Sequence, residues 1–219
     1  MALFHDRSDA GRRLGARLAA LRLDDPLVLA LPRGGVEVGF EVARTLHASL
    51  DVIVARKLGA PNQPELAIGA VAPGAVVLND RIIEQLEISG RDIEAEIARA
   101  TAEMERRAAV FRSGRPPLAL AGRTVVLVDD GLATGATAAA AAQSIRQARP
   151  ALTVLAVPVA ARETVARLKD QVDQLICLSL PPDFRAVGEW YEDFDQATDR
   201  HVVELLERAG ALRPAQGTA

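Results

Sequence analysis

The stretch VVLVDDGLATGAT, Val125–Thr137, constrains the fold more than any other part of the chain. Val125–Val128 are apolar without alternation, so the strand they predict, Thr124–Val128, is buried on both faces, as in a parallel sheet covered by helices. The run breaks at two acids and a loop of glycine, alanine and threonine before helix-like sequence resumes at Ala136. The same grammar appears earlier. LVLALPRGG, Leu27–Gly35, reads as a buried strand ending in a turn, followed by a helix over Val36–His47 and a second strand over Asp51–Lys57. A strand–helix–strand unit of about thirty residues implies parallel strands.

Downstream the pattern continues with a helix over Ala136–Ala148, a strand over Leu152–Val159, a helix over Arg162–Lys169 and a strand over Gln174–Leu180. An amphipathic helix is expected over Asp6–Leu21, a long charged helix over Ser89–Phe111, and a last helix over Asp195–Ala209. Ser89 and Asp92 resemble a capping box. The proline- and glycine-rich stretch Leu58–Ala75 reads as a long surface loop or a pair of short edge strands. Val76–Asn79 is expected as a short strand, and residues 80–88 as a helix. The alanine run Ala138–Ala142 is accounted for by helix propensity. The expectation is therefore a single α/β domain over residues 1–219, with a mostly parallel central sheet, helices on both faces and a core at about 27–180.

Composition excludes several functions. The 219 residues are 49% hydrophobic and 25% charged with net charge −3, and the basic residues occur as scattered doublets such as Arg12–Arg13, Arg56–Lys57 and Arg106–Arg107. No nucleic-acid partner is expected from that distribution. The lone Cys177 can form neither an internal disulfide nor a metal cluster and is expected as a buried apolar residue. The N-terminal residues lack an uninterrupted apolar stretch, so neither a signal peptide nor a membrane span is expected, and the expected location is cytoplasmic.

In sheets of this kind ligands bind beyond the carboxyl ends of the strands, where PRGG, Arg56–Lys57 and DDGLATGAT all fall. Glycines between a strand and a helix let successive amides turn inward, and the helix N-terminus adds partial positive charge, so the loop favours a phosphate. Thr134 and Thr137 add hydroxyl donors. A nucleoside-triphosphate loop is excluded, because Gly131 and Gly135 are one residue too close and Ala136 stands where lysine is required. A dinucleotide fingerprint is excluded too, because the acids precede the loop. Asp129 and Asp130 beside a phosphate nest suit a sugar phosphate whose hydroxyls donate to them, or magnesium held through water.

This arrangement resembles the signature of the type I phosphoribosyltransferases, which use 5-phosphoribosyl-1-pyrophosphate (PRPP). The architecture agrees over Leu27–Leu180, and RKLGAPNQPELAIGAV with VGEWYEDF resembles a bacterial branch of that family. The resemblance implies that Asp129 and Asp130 hold the ribose hydroxyls and, through water, Mg2+. It implies that the backbone of Gly131, Leu132, Ala133, Thr134, Gly135, Ala136 and Thr137 lines the 5-phosphate pocket. PRGG then corresponds to the pyrophosphate loop, with Arg33, Gly34 and Gly35 at the leaving group beside a strained or cis peptide after Arg33. Arg56 and Lys57 would neutralise pyrophosphate, and residues 58–71 would form a mobile lid. The implied reaction transfers phosphoribosyl from PRPP to a nitrogenous base and releases pyrophosphate. Charge stabilisation at the leaving group and exclusion of water are what its oxocarbenium-like transition state requires.

Two features depart from the best-known branches. Ala133 stands where enzymes acting on 6-oxopurines carry Asp, which argues against that substrate class and leaves the proton-transfer group unidentified. The base-covering hood is expected at residues 181–199, where Phe184, Trp190, Tyr191 and Phe194 gather, Trp190 and Tyr191 offering faces to a planar base; the other reading of this cluster is a small satellite core. His5, His47 and His201 show no ligand spacing. A PRPP-sensing regulator without turnover and a hydrolase of phosphoribosyl compounds are the alternative functions, and homo-oligomerisation is compatible with the sequence.

Overall fold

The structure is a computed structural model that describes residues 2–61 and 63–211; Asn62 of the expected lid and the tail 212–219 lie outside the described residues. In chain order the elements are α1 (Arg7–Ala19), β1 (Pro26–Ala30), α2 (Gly34–Leu46), β2 (Ser49–Val52), β3 (Arg56–Ala60), β4 (Gln63–Ala72) and β5 (Ala75–Leu78). They are followed by α3 (Asp80–Gln85), α4 (Gly90–Arg112), β6 (Thr124–Val128), α5 (Ala136–Gln147), β7 (Leu152–Val159), α6 (Arg162–Leu168), β8 (Gln174–Ser179) and α7 (Asp199–Ala211).

Five strands form a wholly parallel sheet in the order β2-β1-β6-β7-β8. Every residue of β6 is buried, as its unbroken apolar run requires. On one face α1 and α2 bury Leu14, Leu18, Val38 and Val42 against Val28, Val126 and Val154. On the other, α5 and α6 cover Leu29, Leu127 and Leu155.

A separate antiparallel sheet, β3-β4-β5, corrects the reading of the middle of the chain. The strand expected over Asp51–Lys57 is divided: β2 ends at Val52 in the parallel sheet, and β3 starts at Arg56 in the antiparallel one. Of the two readings of Leu58–Ala75, a surface loop or a pair of strands, the strands are what form: residues 58–71, implied as a lid, lie mostly in the β3–β4 hairpin. Leu58, Ile68 and Val71 of this sheet share a core with Val52, with Met104 and Phe111 of α4 and with Val202 and Leu206 of α7. The alanine run also acquires a reason beyond propensity. Ala138–Ala142 are all buried because α5 lies between the two sheets, Ala140 packing on Ala70, Ala72 and Ala75.

Ser89 caps α4, its Oγ accepting from the amide of Asp92 at 3.2 Å while donating to the Asp92 carboxylate at 2.7 Å. Cys177 is half-buried, and burial pushes its thiol up to about 11, so it carries no thiolate at neutral pH. No described helix is long and apolar enough to cross a membrane.

Candidate active site

Strand order brings the two glycine loops together. β1 and β6 are parallel neighbours, so the turns leaving their carboxyl ends lie side by side. Contact is close enough to exclude side chains. A Cβ at Gly34 would lie 1.9 Å from Oδ2 of Asp130, and one at Gly35 would lie 2.9 Å from the Val128 carbonyl and 3.1 Å from Oδ1 of Asp129. Glycine at both positions is what lets the Pro-Arg-Gly-Gly turn meet the paired acids. The turn contains a cis peptide, between Pro32 and Arg33, one bond earlier than expected.

Asp129 and Asp130 differ in their partners. Asp129 Oδ1 accepts from the Asp130 amide at 2.9 Å, and burial followed by the nearby Asp130 charge raises its carboxyl well above the usual carboxylate range. Asp130 Oδ2 accepts from Nε of Arg7 at 2.8 Å, with both side chains largely buried. Sequence reasoning missed Arg7.

The loop that follows is held from behind. Thr164 Oγ1 donates to the Ala133 carbonyl and Arg167 to the Thr134 carbonyl, so these oxygens face α6. A peptide N–H points opposite its carbonyl, so the amides of Thr134 and Gly135 turn the other way. Gly135 takes a left-handed φ of 67° at the N-cap of α5, a conformation natural to glycine, and Thr164 and Leu168 leave no room there for a Cβ. Among the described residues, the amides of Ala133 through Ala138 donate to no protein acceptor. Such an array at a helix N-terminus is suited to receive an anion. Leu132 is a correction: its amide donates to Val159 at 3.0 Å, its carbonyl accepts from Ala161 and its side chain is buried, so it anchors the loop and offers no donor to a ligand. Gly131 lets the Val187 turn pack onto the loop, since a Cβ there would overlap Val187.

The basic residues separate. Arg56 and Lys57 line a cleft of about 380 Å³ together with Pro32, Arg99 and Arg107. Lys57 donates to the Glu65 carbonyl at 2.9 Å, and Arg56 lies 3.7 Å from Glu103. Hydrogen bonding from Arg106, aided by the charges of Arg56 and Arg107, holds the Glu103 carboxyl down at about 2. Arg33, expected beside Lys57, instead faces Asp199 at 3.8 Å.

In the expected hood, a 3-10 turn at Val187–Trp190 precedes Tyr191. Tyr191 is a second correction: its ring is buried between Phe4 and Phe194, at centroid distances of 5.4 and 5.0 Å, and its hydroxyl donates to the Asp130 carbonyl at 2.6 Å. It supports the acids and has no face for a base. Trp190 stacks nearly parallel to Phe184 at 6.4 Å, with its buried Nε1 making no hydrogen bond. The cluster forms a small satellite core, the second of the two readings.

The matching pieces define a class. The phosphoribosyl transferase domain model matches residues 7–193, and the chain belongs to that family. Two Mycobacterium tuberculosis proteins, each named "Putative phosphoribosyl transferase" (MT0597 and Rv0571c), are 49% identical over 210 residues, 95% of this chain. The match takes up 47% of each, so the chain spans about half the length of these curated relatives. The crystal structure of TT1426 from Thermus thermophilus is similar throughout, with a TM-score of 0.80 and 46% identity, covering 95% of this chain and 99% of that one.

Proposed function

We propose that the protein transfers the 5-phosphoribosyl group from PRPP to a nitrogenous base with release of pyrophosphate, assisted by Mg2+. The observation that carries this reading is the pairing of two acids at the end of β6, walled by Gly34 and Gly35, with a run of unused amides at the start of α5. The amides would grip the 5-phosphate, and Asp129 and Asp130 would accept hydrogen bonds from the ribose hydroxyls. Lys57 and Arg56, at the cleft beside Pro32, would offset charge on the departing pyrophosphate.

Magnesium fits the donors. Among the described residues no group of three or more His, Cys, Asp or Glu side chains gathers to cage a metal. That suits an ion that keeps its waters and takes further ligands from substrate oxygens. Asp129 and Asp130 would hold it through water, and bound there it would neutralise charge on the diphosphate.

The test is to follow pyrophosphate while the protein is incubated with PRPP, Mg2+ and a panel of purine, pyrimidine and pyridine bases. Base-dependent release is expected. Release without a base would identify a hydrolase, and tight binding without release a sensor. Within the hood, Trp190→Ala is expected to raise the apparent constant for the base far more than that for PRPP; equal effects would remove Trp190 from the base site.

A further inference from the structure

Arg7 occupies a position that helix stability does not favour. It is the first residue of α1, where the helix dipole presents positive charge, and its side chain is only 8% exposed. Burying a cation costs several kcal/mol unless its partners are well placed. Here each partner is well placed and all lie at one site. Nε donates to Asp130 Oδ2 at 2.8 Å, Nη1 donates to the Asp195 carbonyl at 2.7 Å, and the guanidinium lies 3.8 Å from the centre of the Phe194 ring. Tyr191, which packs on the same Phe194, grips Asp130 through its main-chain carbonyl. The segment Tyr191–Asp195 is therefore fastened to Asp130 from two directions, one through the side chain and one through the backbone. Asp130 Oδ1 accepts no protein hydrogen bond among the described residues and is left for a ligand.

We propose that Arg7 is a positioning residue that couples the Asp130 carboxylate to the hood, so that placement of a bound sugar and placement of Tyr191–Asp195 are one event. The inference rests on reading Asp130 as a ribose carboxylate. A ligand hydroxyl drawing on Oδ1 changes the hold of Oδ2 on Arg7, and Arg7 transmits that change to the Asp195 carbonyl and the Phe194 ring. An arginine is needed because its planar fork directs separate donors at two acceptors and also stacks on an aromatic face; a lysine ammonium supplies charge without that geometry.

The chain's single tryptophan, Trp190, lies in the hood and makes the coupling readable. The full chain is titrated with PRPP and Mg2+, binding being followed by calorimetry and the hood by Trp190 emission. In the wild type, binding is expected to change the emission. Arg7→Gln is expected to weaken binding about tenfold, as loss of a hydrogen bond between charged groups implies, and to abolish the emission response. Arg7→Lys is expected to retain most of the affinity while still losing the response, which a purely electrostatic role would not produce. Binding within twofold of wild type for Arg7→Gln, or a wild-type emission response for Arg7→Lys, would overturn the proposal. Should Arg7→Gln fail to fold, Arg7→Lys decides alone. Should the wild type not bind PRPP, the functional reading fails, and the link between Arg7 and the hood is judged from ligand-free emission: a red shift in Arg7→Gln supports it, and an unchanged spectrum refutes it.

Discussion

Two largely buried arginine–aspartate pairs, one on the edge strand β2 and one just past the end of the central strand β6, are finished differently. In Arg112–Asp51 the carboxylate is saturated. It accepts from Arg112 Nε at 3.1 Å, from the Leu118 amide at 3.1 Å and from the Val52 amide at 2.8 Å, while Arg112 also donates to the Val52 carbonyl. In Arg7–Asp130 the carboxylate accepts one protein hydrogen bond, and its second oxygen accepts none among the described residues. The first pair closes α4 and the loop after it onto β2. The second holds an acid in place without using it up. A carboxylate serving the fold is consumed by protein donors, whereas Asp130 is oriented and left with spare acceptor capacity, as the proposed ribose site requires.

The largest effect that tests this contrast is expected at the saturated pair. Arg112→Ala leaves the buried Asp51 without its counter-charge, a change that costs about 3 kcal/mol. For a chain of this size that is a drop in Tm of roughly 6–12 °C, read by thermal or urea unfolding. PRPP affinity of the folded fraction is expected to stay within about twofold, because loss of a counter-charge at a saturated pair acts on stability alone. A Tm within a degree or two of wild type would break the contrast by showing that Asp51 does not depend on its partner.

A smaller effect, of opposite character, is expected at Gly34. The Cβ of Gly34→Ala would fall 1.9 Å from Asp130 Oδ2 and 2.7 Å from Arg7 Nε, so the ion pair must part or the turn must retreat. Overpacking of this kind costs about 1–3 kcal/mol. The signature that separates it from Arg112→Ala is loss of PRPP binding by calorimetry in protein that is still folded. Unchanged affinity would mean that the contact between the turn and Asp130 is incidental.

The same contrast explains what the sequence could and could not disclose. The parallel sheet was legible because Leu27–Ala30 and Val125–Val128 are unbroken apolar runs, and the candidate loop between β6 and α5 because glycines and acids fall at the end of such a run. The division of Asp51–Lys57 between two sheets was not legible, because a short apolar run carries no mark of where a strand leaves one sheet for another. The antiparallel sheet was obscured by Pro61, Pro64 and Pro73, yet these flank or begin β4 and leave Gly69–Val71 paired on both sides. Arg7 and Arg167 were invisible for a different reason. Each is one arginine on an amphipathic helix, and its meaning lies in a partner far away along the chain: Asp130 for Arg7 and the Thr134 carbonyl for Arg167. Tyr191 was misread because an aromatic cluster looks alike whether it covers a base or braces a loop.

The smallest effect expected is also the one whose sign is most telling. Burial first, and the neighbouring Asp130 charge second, raise the Asp129 carboxyl above its ordinary value. A carboxyl with a raised folded pKa binds its proton more tightly in the folded chain. Its contribution to stability is therefore full below the unfolded pKa of about 3.9 and is lost as pH rises through the folded value. At pH 8, far above the unfolded value, a carboxyl that resists losing its proton in the folded chain burdens the fold. Asp129→Asn removes that charge while its amide oxygen still accepts from the Asp130 backbone as Oδ1 does now. The expected outcome is a slightly raised Tm at pH 8, little change near pH 4, and impaired PRPP binding; Asp51→Asn, which discards the charge that Arg112 needs, is expected to lower Tm at pH 8. A lowered Tm for Asp129→Asn at pH 8 would place Asp129 with Asp51 among the acids the fold consumes and would remove it from the ligand site.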